Sequence, residues 1–390
     1  MFNEKQIEKY IYKYTRRQDD FYMAVIKLTA ERVAHNVGIE SLDKMFSLSE
    51  AFKSSHDMLD IKKLQAAFKK SMVDMLRGDL LSIADKVYTE LRPLFDGVSP
   101  TLRANLPVYT GLIETIEDAA VSLGALIDKP IFVINGKKYT PQDAYKYVVQ
   151  AALQTKQLKG PIRSMRYAVE PLFNTRLQYE SNLTDDDGNA LTSDVRAVRM
   201  NVLSSIKKVF EVINNNVMKQ VSANGIELSA HIHPAPDHEP VQGHQFSLAE
   251  FAKMQSGQDF VDVNGTHYSG FPRQIGAWNC RHYTKPIIVG VTKPEYTEKE
   301  LQEIKDKNAK GYTTSDGKHY TLYECTQVQR GYERHIRENK EKYVIAKTLK
   351  DKTKMAYYKG KVNSYTNEYK AFSSACGINT SWERVRVTDY

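Results

Sequence analysis

Cysteine is scarce: Cys280, Cys325 and Cys376 are the only three in 390 residues. An odd, widely spaced set offers no disulfide framework and suits a reducing cytoplasm. No two of them have the CxxC spacing of a zinc knuckle, and no HExxH occurs on a stretch of helical periodicity. Long apolar runs are also missing. The most apolar stretch, "VSLGALIDKPIFVI", is broken by Asp128, Lys129 and Pro130 and is too short to span a bilayer. The opening "MFNEKQIEKY" has no apolar core and no cleavage pattern, so no signal peptide is expected.

What remains is an ordinary globular composition, 41% hydrophobic and 26% charged, so the chain does not read as disordered. Its length allows two or three domains. The formal charge of +8 permits contact with nucleic acid or an acidic protein surface.

The first 130 residues read as helices. Ile61, Leu64, Phe68, Met72 and Met75 recur at three- and four-residue spacing, one buried stripe of a long helix expected to end at Pro93. "IFVINGKKYT" reads as a hairpin, because Asn135-Gly136 suits a type I′ turn. Thr140 with Pro141 then opens a helix. A second long helix, expected to be capped by Ser193, carries Val195, Val198, Val202, Ile206, Val209, Ile213 and Val217 on one face. From about 222 to 296 proline, glycine and histidine rise and helical periodicity disappears. Further turns are expected at Asn264-Gly265 and Asp316-Gly317, with a short buried strand at "KPIIVGV". A last helix is expected from about 323 to 375, ending near Gly377.

Six of ten histidines fall in the loop-rich part: His231, His233, His238, His244, His267 and His282. Three chemistries fit them. His231-x-His233 with His238, Cys280 or His282 has the donor types of a zinc hydrolase, with Asp237, Glu239 or Asp262 as the nearby carboxylates for a base. Cys280 beside a histidine forms a nucleophile–base couple, with Arg281 lowering the thiol pKa. The third reading is a polar core, preferred here. Irregular backbone lacks ladder partners, and His231, His238, Gln242, Asn279 and Arg281 can supply them.

The order of residues resembles the minor capsid protein 2 family of tailed bacteriophages, and is similar to a divergent relative of the phage Mu head-morphogenesis family. One block is Ser229-Ala230-His231, His238, Gln242-Gly243 and Phe246. A second is Trp278-Asn279-Cys280-Arg281-His282 with Pro286. "SDVRAVRMNV" (193–202) and "QVQRGYERHIRENK" (327–340) resemble two further family helices. Ala235, Val241 and Asp237 stand where the family often has Arg, Trp and Ser.

The resemblance implies a structural head protein, portal-associated and packaged inside the capsid, assembled in the bacterial host cytoplasm, with no membrane partner. No catalytic residue, metal or cofactor is assigned on this reading. The alternative is a metal-dependent hydrolase or nuclease using His231, His238, Cys280 and His282. The segment from Thr321 to Tyr390 carries 14 Lys or Arg against 8 Asp or Glu. Arg330, Arg334 and Arg337 fall on one helix face, with Lys340 near by, and are expected to meet packaged double-stranded DNA. The expected fold is α+β and helix-dominated, with long N- and C-terminal helices around a small Gly/Pro/His-rich core containing β-hairpins. The expected regions are a helical 1–140, a core of 141–300 that holds the motifs, and a hairpin plus basic helix at 301–390.

Overall fold

The computed structural model describes residues 4–38, 48–95, 111–159, 170–184, 190–194, 196–270, 273–276 and 280–390. Apolar side chains at helical spacing build its first layer. In α1 (Glu4–Gly38) Ile7, Ile11, Tyr14, Phe21, Val25 and Val33 are buried. In α2 (Leu48–Phe95) Ile61, Phe68, Met72, Leu76, Leu80 and Ile83 are buried. The helix extends beyond both ends of the expected stripe and takes Pro93 into its last turn. Leu64, expected inside, stands 37% exposed at the rim of that stripe. α3 (Leu112–Ile127) lays Ile116, Leu123 and Ile127 into the same core.

β1 (Pro130–Ile134) and β2 (Lys137–Tyr139) form the expected hairpin, with φ of 51° at Asn135 and 79° at Gly136. Both turn positions are left-handed, as a type I′ turn requires. α4 (Pro141–Lys159) starts as the sequence indicates, Thr140 Oγ1 accepting the Asp143 amide at 3.1 Å. A short α5 (Glu170–Phe173) leads into β3 (Thr175–Thr184), which pairs with β1 and with β4 (Ala190–Asp194). The antiparallel sheet runs β2-β1-β3-β4. Ser193 does not cap a helix. It pairs with Tyr179 in the ladder, and the neighbouring Asp194 pairs with Gln178. Strand pairing holds the chain extended there, and α6 (Arg196–Val221) begins only afterwards.

α6 is the spine of the molecule. Val198, Val202, Ile206, Val209, Ile213 and Val217 are all buried. They join a core that draws on α1 to α4 and also on Val344, Ile345, Leu349 and Val387 near the end of the chain. Beyond α6 lies a smaller three-stranded sheet, ordered β6-β5-β9, from β5 (Gly225–Leu228), β6 (Gln245–Ser247) and β9 (Thr284–Ile287). Gly225 suits the crossing at its centre, because an added Cβ would lie 2.6 Å from the Phe246 carbonyl oxygen. Between β6 and β9 come α7 (Leu248–Gln255) and a hairpin of β7 (Phe260–Val261) and β8 (His267–Tyr268). Ile226, Leu228, Val241, Phe246, Met254, Phe260, Ile275 and Cys280 pack here as a second core.

α8 (Glu298–Lys310) and a small hairpin, β10 (Tyr312–Thr313) with β11 (His319–Tyr320), precede the terminal helices. The single helix expected over 323–375 is two. α9 (Leu322–Thr348) stops where Lys350 takes a φ of 55°, and the Asp351 carboxylate then caps α10 (Lys352–Ala375) by accepting the Lys354 amide at 2.9 Å. The pair folds back on itself around Ile336, Val362, Tyr369 and Val385. Ten α-helices and small antiparallel sheets among the described residues make the chain a helix-dominated α+β protein. No helix among those residues is long and apolar enough to cross a membrane.

Candidate functional site

The distinctive residues gather at one end of the small sheet. β5 and β9 are antiparallel, so the chain leaving Leu228 and the chain entering Thr284 lie side by side. Ser229 extends the pairing: its amide donates to the Tyr283 carbonyl at 3.0 Å, and its hydroxyl accepts the Tyr283 amide at 3.1 Å. Gly243 returns the excursion to β6, its amide donating to the Leu228 carbonyl at 3.0 Å. It has a φ of 76°, and a Cβ there would meet Leu301 Cδ2 at 2.3 Å, so conformation and space both call for glycine. Pro286 sits on the outer strand β9 opposite Ile226, where a missing N–H is tolerated.

His238, Cys280 and His282 converge at this end, all buried. Cys280 Sγ lies 3.6 Å from His282 Nδ1. The His231 ring lies against that of His282, centroids 4.4 Å apart, and His238 meets the same ring edge-on at 5.4 Å. Gln242 Oε1 accepts the His231 amide at 3.1 Å and faces His282 Nε2 at 3.5 Å. His238 Nε2 donates to the Arg273 carbonyl at 2.8 Å, and the Arg273 guanidinium grips Asp237 through two bonds of 2.6 Å. Burial works against the Asp237 carboxylate, but the Arg273 pair outweighs it and its pKa is lowered.

The electrostatics favour a thiolate among neutral imidazoles. Burial raises the Cys280 pKa, yet its contacts with His238 and His282 and the nearby Lys207 charge bring it down to about 4. Burial, helped by His282, His233 and His238, pushes His231 down to about 3. His282 is likewise lowered by burial, against the pull of Cys280. Both His231 ring nitrogens are buried without a hydrogen-bond partner.

Arg281 turns the other way. Its guanidinium donates to Glu8 Oε1 on α1 at 2.7 Å, where Arg199 also binds at 2.6 Å, and Arg384 reaches Glu8 Oε2 at 3.2 Å. Burial and the neighbouring Arg330 and Arg384 charges lower Arg281 to about 9. It is therefore a tie between the small sheet and the helical layer and does not tune the Cys280 thiol. Trp278 and Asn279 lie outside the described residues. Lys207 and Arg273 were invisible as site residues in the sequence. A second polar knot escaped it too: Asp262 holds His244 at 3.1 Å, Tyr268 at 3.2 Å and the amides of Asn264 and Thr266.

Arg330, Arg334 and Arg337 of α9 line a groove of about 1570 Å³ between α1, α9 and the chain's last turns; Lys340 does not reach it. Eleven lysines and arginines line it against five carboxylates, so its field is positive. Of the four residues expected to meet DNA, Arg334 alone is exposed. Arg330 is drawn among Arg384, Arg199, Glu8 and Glu333, and Arg337 lies 4.0 Å from Glu341. Lys340 donates to the Val385 carbonyl at 2.9 Å and lies over the Tyr390 ring. The exposed cations of the groove include Arg16, Arg17 and Arg386, which sequence spacing did not single out.

In this helix-dominated α+β protein His238, Cys280 and His282 are turned inward, and a basic groove opens on the surface. The chain belongs to the phage minor capsid protein 2 family, whose model matches residues 125–373. It is thus a structural protein of the phage virion, and all four sequence blocks quoted above fall inside the match. Neither the curated proteins nor the solved structures returned a match.

Proposed function

We propose that this chain is a non-catalytic minor component of the phage head, associated with the portal, packaged inside the capsid and in contact with the DNA there. The observation that carries the non-catalytic part is where the motif side chains are spent. Ser229 and Gln242 hold backbone, Arg281 ties α1, and the basic groove includes none of His231, His238, Cys280 and His282. A hydrolase at that cluster would need a free carboxylate as base. Asp237 is taken by Arg273, Asp262 by His244 and Tyr268, and Glu239 by Asn308 at 2.6 Å.

Docking on the portal or inner wall is assigned to the helical layer, where α2 and α3 leave Leu81, Ile113 and Val121 exposed. One or two helix faces supply the roughly 800 Å² per partner of an ordinary interface. The test is protease treatment of intact heads followed by co-purification with the portal. The chain should resist digestion until heads are opened, and Leu81→Asp with Val121→Asp should lower its incorporation. Digestion in intact heads would overturn the interior placement, and full incorporation of the double variant would overturn the assigned surface.

A further inference from the structure

We propose that His238, Cys280 and His282 bind a zinc ion that staples the loop following β5 to the loop preceding β9. This stands independently of the portal and DNA assignments. The three donor atoms all lie within 4.8 Å of one another, and Cys280 Sγ is 3.6 Å from His282 Nδ1. A tetrahedral zinc with bonds of about 2.0–2.3 Å sets its ligand atoms roughly 3.3–3.8 Å apart. Small side-chain rotations therefore reach the metal-bound arrangement.

The proton inventory points the same way. The Arg273 carbonyl, 2.8 Å from His238 Nε2, can only accept, so Nε2 carries the proton and Nδ1 keeps a lone pair, which faces Arg273 Nη2 at 3.5 Å. Gln242 Oε1 is fixed as an acceptor by the His231 amide, so the His282 proton sits on Nε2 facing that oxygen. His282 then turns a bare Nδ1 toward the sulfur. Lys207 beside the sulfur and Arg273 Nη2, 3.5 Å from His238 Nδ1, are the cations that face these donor atoms, and a divalent ion at their centre would answer all three directly. A carbonyl and an amide oxygen on the far nitrogens are also the outer partners that orient metal-bound histidines.

One sulfur with imidazole nitrogens selects zinc over calcium or magnesium. Lys207, which faces the same sulfur from α6, supplies charge but no coordination. His231 packs on the His282 ring, centroids 4.4 Å apart, but is not among the three side chains whose donor atoms converge. With the nearby carboxylates engaged, such a site is structural.

The test uses the full chain purified without chelator. Elemental analysis should find one zinc per chain. Exchange for Co(II) should give tetrahedral d–d bands and a thiolate charge-transfer band, the latter lost in Cys280→Ser. Lys207→Met should leave the metal in place, and Gln242→Ala should weaken it about 10- to 100-fold. X-ray absorption on the native zinc form should show one sulfur and at least two nitrogen neighbours, which keeps the test valid if Cys280→Ser does not fold. A native chain that takes up neither metal, a site with no sulfur neighbour, or a charge-transfer band that survives in folded Cys280→Ser would each overturn the proposal.

Discussion

At the scale of the residue, buried charge sets the largest expected effects. Glu8 meets Arg199, Arg281 and Arg384, and every side chain in the group is no more than 20% exposed. Glu8→Gln removes the carboxylate that three guanidinium groups share, leaving Arg384 with Glu333 at 3.5 Å. It is expected to cost about 3–5 kcal/mol, the usual penalty for breaking a buried ion pair, read by urea unfolding. His238→Ala removes the buried hydrogen bond to the Arg273 carbonyl and is expected to cost about 1–3 kcal/mol; an unchanged transition would sink its structural role. With a sign opposite to that of the Cys280 thiol, Glu341 contributes a pH dependence of its own. Burial, opposed by Arg337 and aided by Asp19, raises its pKa to about 8. The native chain keeps this proton while the unfolded chain loses it near pH 4.5. Its contribution is therefore fully present below that value and is lost as pH rises to about 8, by at most about 1.4 kcal/mol per pH unit. Relative to the native chain, Glu341→Gln should gain stability as pH rises from 5 to 8, because the falling contribution of Glu341 is removed while the rising one of the Cys280 thiol stays.

At the scale of the element, the turn at 349–351 is the sharpest test. Lys350 holds a φ of 55°, which costs a side-chain-bearing residue roughly 1–2 kcal/mol, so Lys350→Gly should stabilise the chain by about 1 kcal/mol. Asp351→Ala should destabilise it by about 1 kcal/mol through the lost cap. Thermal melting of the two variants should move in opposite directions. The same turn shows where sequence legibility ended. Asn135-Gly136 and the valine–isoleucine stripe of α6 were readable because turn chemistry and helical period are local. A lysine in a left-handed conformation carries no local signal, so α9 and α10 read as one helix. Ser193 looked like a cap because its partner Tyr179 lies in another strand. His238, Cys280 and His282 stood out as residue types, but the Asp237–Arg273 clamp joins positions 36 apart. Nothing in the spacing of the arginines told that Arg330 faces inward.

At the scale of the whole molecule, the charge of the groove makes the proposed DNA contact testable. Arg16, Arg17 and Arg334 are exposed on its walls. Three phosphate contacts give a slope of log K against log[salt] of about −3, independent of sequence. Fluorescence anisotropy with duplex DNA should show that slope, and charge reversal at the three positions should abolish it. A chain that shows no binding at low salt would assign the groove to an acidic protein partner.

The tie between α1 and the last turns also has a consequence in time. Arg384 bonds Glu8 across 376 positions, and Lys27 reaches Asp389 at 2.6 Å. At about 5–20 residues per second, a ribosome makes α1 roughly 20–75 s before its partner arginine exists. Through that interval the apolar stripe of α1 has neither Val344 nor Val387 to rest on, and Glu8 lacks the last of its three arginines. The nascent chain is thus at its stickiest before release, when neighbouring chains on the same message are nearest. Its yield should depend on host chaperones that shield emerging helices.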